Sequence, residues 1–327
     1  MKKLILILII ALSVMLVACN GSSNSNKTPT EGLEYTLLSN DSYEVSGIGS
    51  ATDFDIVIPA KYNDKPVLSI GQNAFNGCHN IKTITISNGI KAIGSSAFSD
   101  CISVTSIILP DTVEYIGTDA FLGCTALIYD EYNNAKYLGS EKNPYIALAS
   151  AKDTSISSCK VNKNTKFICS RAFYLCSSLS SVEIPNSVSY IGAHAFQACS
   201  SLTSIAMPSG ISAIEDECFA GCASLASAIV PSNVTSIGAN AFAGCSSLSS
   251  LNFPEGLKTI KSYAFFDCSK LTSVYLPGSI TSLESCAFFS CSSLATVMCE
   301  AESEGENWAA DWLGNCEATV SYGAKQN

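Results

Sequence analysis

The chain has 327 residues, a formal net charge of −10, 47% hydrophobic residues and 14% charged ones, where ordinary globular chains carry about 25% charged. That apolar content excludes disorder for most of its length. The acidic balance with a single arginine, Arg171, excludes nucleic acid as a partner, because a phosphate binder needs a basic face. Sixteen cysteines admit disulfides, metal sites or buried thiols, and their spacing has to decide among these.

Lys2 and Lys3 precede an apolar run from Leu4 to Ala18 broken only by Ser13, and no acidic residue appears before Glu31. A run this short, charged at its start, reads as a secretory signal over residues 1–18 rather than a membrane span. It ends in Leu16-Val17-Ala18-Cys19, which resembles the bacterial lipobox. That resemblance implies lipidation of Cys19 and an extracellular protein held to the cell membrane only by its lipid anchor. Residues 19–32, rich in Gly, Ser, Asn and Thr, then form a flexible tether. In residues 33–69, Tyr35-Thr36-Leu37 and Tyr43-Glu44-Val45 flank Ser39 to Ser42 and predict a hairpin that caps the first coil.

From residue 70 to 299 one pattern dominates. Ala-Phe with a cysteine three residues beyond recurs as Ala74-Phe75 to Cys78, Ala97-Phe98 to Cys101, Ala120-Phe121 to Cys124 and Ala172-Phe173 to Cys176. It continues at Phe196, Phe219, Phe242, Phe265 and Phe288. The spacing between copies is constant except from Phe121 to Phe173, a gap longer than two periods. Within a period, Leu202, Ile205, Met207 and Pro208 mark a short strand, because Ile205 and Met207 share a face and proline ends the ladder. A second extended piece, as in Val234 to Ile237, turns at Gly238 into a tight, helical Ala-Phe turn. One such unit cannot bury its own apolar face, but units stacked in register share a continuous core.

The repeated Ile-Gly-x-x-Ala-Phe-x-x-Cys-x-x-Leu-x-x-Ile-x-Ile-Pro resembles the BspA-type leucine-rich repeat of bacterial cell-surface proteins. The resemblance implies a right-handed repeat solenoid, mainly β, with coils of about 23 residues built from short strands and tight Ala-Phe turns. It also implies a non-enzymatic role in adhesion or protein binding.

Residues 128–153 break the period. Tyr129 to Tyr132 and Ala135 to Leu138 flank Asn133-Asn134 and predict a projecting hairpin, followed by a strand around Tyr145 to Ala149. Residues 300–327 form a C-terminal cap, with Trp308 and Trp312 four apart on one face of a helical turn.

Nine cysteines share one repeat position, and the site suits a small, buried, reduced thiol rather than a disulfide, whose Cβ atoms lie closer than neighbouring coils do. Cys159, Cys169, Cys218 and Cys299 read as core substitutions, whereas Cys286 and Cys316 fall outside the core frame. No metal-ligand spacing, nucleophile elbow or phosphate loop occurs, so neither a catalytic site, a metal nor a cofactor is expected.

Binding is expected on the outward side of the strands. A Ser/Thr row, Thr83, Ser106, Ser158, Ser181, Ser204, Ser227, Ser250, Ser273 and Thr296, reads as a hydroxyl ladder. Two residues on, the register varies, and Ile108, Ile229, Tyr275 and Met298 are apolar where water is expected. Tyr263, Phe266 and Phe289 in the last coils, and Tyr129, Tyr132 and Tyr137 in the hairpin, extend the candidate face. The expected ligand is a protein of the host matrix or of another cell. Glycan or cell-wall polysaccharide binding is the alternative, and a spacer without a partner is the third.

Overall fold

The structure, a computed structural model, describes residues 27–325. The secretory signal and Cys19 lie outside the described residues. The chain is a β-solenoid of about 12 turns with repeats of about 23 residues, and among the described residues there is no helix.

Each coil contributes to three stacked rows. The first is a row of longer strands in separate small sheets, Thr83–Ile86 with Ser106–Ile108 in one and Ser204–Ala206, Ser227–Ile229 and Ser250–Asn252 in another, paired parallel and in register. The second is a ladder of two-residue strands such as Ser236–Ile237, Thr259–Ile260 and Ser282–Leu283. Alternation puts Ile205, Leu251 and Val274 inward from the first row, and Ile237, Ile260 and Leu283 inward from the second.

The third row is the Ala-Phe turn. The residue before alanine is left-handed in every regular copy: Asn73, Ser96, Asp119, Arg171, His194, Glu217, Asn240, Tyr263 and Cys286 have φ of 53 to 60°. A second left-handed residue follows four positions on, as Gly77, Asp100, Leu175, Ala198 or Gly221. Bracketed in this way, the segment cannot continue as a right-handed helix, so the expected helical turn is corrected to a non-helical one. Its amides instead reach the next coil: Asn73, Phe75 and Gly77 donate to the carbonyls of Ser95, Ala97 and Ser99 at 3.0, 2.8 and 2.9 Å.

Inside, the phenylalanines stack. Phe173, Phe196, Phe219, Phe242, Phe265 and Phe288 follow one another at 5.0 to 5.5 Å between centroids, and Phe75, Phe98 and Phe121 form a shorter stack at 5.4 and 6.0 Å. All 15 described cysteines are free thiols. Ladder thiols from Cys101 onward face the carbonyl of the phenylalanine one coil back, as Cys222 to Phe196 at 3.2 Å and Cys245 to Phe219 at 3.3 Å, except Cys176, which faces the Asp153 carbonyl of the insert at 3.9 Å. The position therefore uses a weak donor as well as a small apolar side chain.

The ends continue the coil geometry further than expected. Asp55–Ile58 already pairs with Thr83–Ile86, and Tyr43–Gly47 with Lys65–Ile70, while Glu34–Leu37 and the short Lys61–Tyr62 add antiparallel pairings. Thr30, placed in the tether by sequence, is buried and bonds Val57 through its amide and its hydroxyl. At the other end Asn307–Trp308 and Thr319–Ser321 make one more, slightly longer coil. Trp308 and Trp312 are buried, on a strand and a turn rather than a helix, and Trp312 meets Phe288 edge-on at 6.0 Å. Cys316, read as outside the frame, is a ladder cysteine of this last coil, with its thiol 2.8 Å from the Phe288 carbonyl.

The insert is a hairpin, Asp130–Tyr132 and Ala135–Leu138, turning at left-handed Asn133 and Asn134. It does not simply project. Ala135–Leu138 pairs antiparallel with Ala147–Ala151, which joins the short-strand ladder at Phe167–Ile168. Ala135, Tyr137 and Leu148 pack into the C-terminal core and Leu138, Ile146 and Ala147 into the N-terminal one, so the insert is a partition between two cores.

Candidate functional site

The candidate residues fall into two apolar patches among the exposed hydrophobics of the described coils. The first lies on the turn row of the last coils. Phe266 and Phe289, one coil apart, stack at 5.9 Å and 12°, and Tyr263 stands edge-on to both at 6.1 and 6.4 Å. Phe289 is backed by Gly314, where an added Cβ would lie 2.6 Å from the ring. A hydrogen bond with the Cys286 thiol raises the Tyr263 phenol above its ordinary range.

The second patch runs along the long-strand sheet. Ala206, Ile229 and Asn252 are in-register neighbours, as are Tyr275, Met298 and Ser321. Ile229 is 75% exposed and Met298 41%, while Tyr275 is half-buried. Ile108 is half-buried beside buried Thr85 on the far side of the insert, so it does not join this patch. Lys160 and Glu183 pair at 2.8 Å within the row, an exposed contact of little energetic weight. Of the expected hydroxyl ladder, Thr83 bridges to the Asp55 carboxylate at 2.6 Å, and the residue before the ladder bridges further coils: Thr105 donates to Lys82, Ser180 to Ser157 and Ser249 to Ala226.

The hairpin tyrosines separate. Tyr132 is exposed, its ring 5.8 Å from that of Tyr145. Tyr129 is half-buried, and burial pushes its phenol up to about 12. Tyr137 is fully buried and its hydroxyl accepts from the Asn162 amide at 3.3 Å. It is a core residue and drops out of the candidate face, because it points into the partition rather than away from it.

Sequence reasoning missed two groups. Tyr35 and Tyr62 stack at 3.8 Å with Tyr43 edge-on, making an aromatic surface at the N-terminal end. Leu122 and Tyr174, both exposed, occupy the same turn position as Phe266 and Phe289. That register was the signal available for them. No three His, Cys, Asp or Glu side chains among the described residues are grouped to hold a metal, and no described helix is long and apolar enough to cross a membrane.

Solved structures similar to this chain include a leucine-rich repeat protein from Bacteroides ovatus, 25% identical, covering 91% of this chain and 72% of that one at a TM-score of 0.43. A leucine-rich cell surface protein from Faecalibacterium prausnitzii is 21% identical, covering 92% and 97% at 0.34. The pneumococcal vaccine antigen PcpA is 20% identical, covering 84% and 68% at 0.49. No curated protein matches the chain. The model of the BspA type leucine rich repeat region matches residues 56–142, 145–246 and 213–307. With coils, ladder and turns in the places that this repeat requires, the chain belongs to the BspA-type leucine-rich repeat family.

Proposed function

We propose that the protein is a non-enzymatic, lipid-anchored cell-surface module that binds a protein ligand of the host matrix or of another cell. The observation that carries this is the surface cluster of exposed Tyr263 and Phe266 with half-buried Phe289, accompanied by exposed Ile229 and Met298. Aromatic anchors on a rigid repeat frame lose little entropy on binding and bury large apolar areas. The anchor rests on the lipobox-like Leu16 to Cys19. A palmitate analogue fed to cells should label the chain, and labelling unchanged in Cys19→Ser would remove the anchor from the reading.

The test is solid-phase binding of the detergent-solubilised full chain to matrix proteins. Phe266→Ala, Ile229→Asp and Tyr275→Asp should each weaken capture by about tenfold or more. Unchanged capture would remove both patches from consideration. A second reading, glycan binding, rests on the stacked Tyr35 and Tyr62. Saturable binding on a glycan array, lost in Tyr62→Ala, would favour it.

A further inference from the structure

Among the described coils, the turn row forms a ladder that is interrupted at one junction. Ser96, Phe98 and Asp100 donate to the carbonyls of Thr118, Ala120 and Leu122, and Phe196 and Ala198 donate to Cys218 and Ala220, all at 2.7 to 2.9 Å. The coil of Phe121 is followed by the insert, which carries Lys152-Asp153 where Ala-Phe would stand. Asp119 is tied across the interruption instead, by its amide to the Ser170 hydroxyl at 2.6 Å and by its carboxylate to the Arg171 guanidinium at 3.0 Å. Among the described residues, no backbone carbonyl accepts from the amides of Phe121 and Gly123.

The ring stack ends at the same place. Phe121 lies on Phe98 at 6.0 Å and 3°, and no described ring follows on its other side. A cleft of about 220 Å³ opens there, lined by Phe121, Leu122, Gly123, Tyr129, Ala149 and Arg171. An apolar cavity on the order of 150 Å³ suffices to hold a benzene ring. Phe121 is 9% exposed, whereas Phe75, Phe98, Phe173 and Phe196 are fully covered. Leu122 and Tyr174, two exposed residues of the turn row, flank the gap, and Arg171 lies 5.5 Å from the Tyr174 ring.

We propose that this cleft is a binding site for an aromatic side chain carried by a peptide segment of another protein, which supplies the missing rung. Its ring stacks on Phe121, and the backbone carbonyls on either side of it accept from the Phe121 and Gly123 amides, as the carbonyls of the residues before and after the phenylalanine do from coil to coil elsewhere. This is strand-addition recognition applied to a turn row, with main-chain bonds giving register and one pocket giving specificity. The inference shares with the proposed function only that the ligand is a protein, and it uses a different surface.

Two blocked tetrapeptides, acetyl-Gly-Phe-Gly-Gly-amide and acetyl-Gly-Ala-Gly-Gly-amide, test it on the full chain by amide-resolved NMR. A single aromatic anchor should bind on the order of millimolar. The phenylalanine peptide should shift the Phe121 and Gly123 amides saturably, and the alanine peptide should bind about tenfold to a hundredfold more weakly. Ala149→Phe, which fills the cleft, should abolish the shifts, while Phe266→Ala should leave them unchanged. Hydrogen exchange covers the case in which Ala149→Phe does not fold: in the free protein the Phe121 and Gly123 amides should exchange at least about a hundredfold faster than those of Phe196 and Ala198. Equal protection of the four amides, equal binding of the two peptides, or no saturable shift would overturn the proposal.

Discussion

Replacing Cys222 separates the two properties that the ladder position combines, small apolar size and a donor. The side chain is fully buried, and its thiol lies 3.2 Å from the Phe196 carbonyl, which also accepts from the Cys199 amide at 3.1 Å. Cys222→Ala therefore orphans no acceptor. Its cost is the sulfur's lost contacts and burial plus one weak bond, about 1 to 2 kcal/mol. Cys222→Ser keeps a donor with a partner but puts a hydroxyl into an apolar stack, which costs about 1 to 2 kcal/mol. Cys222→Val gives up the donor and adds a second γ-branch between Cys199 and Cys245, so overpacking costs about 1 to 3 kcal/mol. Urea midpoints measured with reductant present, at unchanged m-value, give the order directly. A neutral or stabilising Cys222→Val would show that the position is not limited in size. A loss above about 4 kcal/mol in Cys222→Ala would exceed what one atom and one weak bond can supply, and would refute the packing account.

The same burial has a consequence for pH. It pushes Cys159, Cys169 and Cys222 up to about 12 and Cys176 and Cys299 up to about 11, from an ordinary value of 9.0. The fold favours the neutral thiol, so this stability is complete below pH 9 and is lost as pH rises through the window between the unfolded and folded values. Each thiol gives up on the order of 1 kcal/mol over the first unit above its unfolded value, and the five losses have the same sign. Urea midpoints that stay flat from about pH 8 to 10 would contradict this. Gly192→Ala places a Cβ 2.5 Å from the Ser170 amide nitrogen and should cost well over 2 kcal/mol, while Gly77→Ala, in open space at φ +69°, should cost about 1 kcal/mol; equal thermal shifts would remove the contrast. Thiol labelling of the native chain should reach Cys286 first and then Cys78 and Cys316, the only half-buried ones among the described cysteines, with the remainder reacting after denaturation without reductant. Fast labelling of Cys245 or Cys268 in the native state would count against a closed ladder.

The period made the register legible, because every regular coil repeats one apolar frame and the structure keeps it from Phe75 to Phe121 and from Phe173 to Phe288. The turn was misread because its left-handed residues are Arg171, His194, Tyr263 and Cys286 as often as asparagine. Cross-coil hydrogen bonds, not local propensity, hold them there. Cys316 escaped the frame because its coil is longer than the common period, Ser282 pairing with Asn307 where Thr259 pairs with Ser282. Tyr137 was misplaced because alternation within a hairpin does not say which of its faces the rest of the molecule covers. Of the candidate faces, Phe266 and Phe289 were legible as aromatics outside the core frame. Ile108 was not separable from Ile229, since nothing in the strand sequence shows that the insert divides them.

The partition formed by the insert also bears on cooperativity. Stacked coils stabilise one another only through their nearest neighbours, so a wall that interrupts the ring stack weakens the coupling at one junction of an otherwise uniform series. The N-terminal and C-terminal cores are then expected to act as two folding units, with Phe167 and Cys169 of the first C-terminal coil packed into the N-terminal core and Asp119 tied to Ser170 and Arg171 across the junction. Native-state hydrogen exchange should resolve two opening free energies, one on each side of the insert, where an unbroken solenoid would show one.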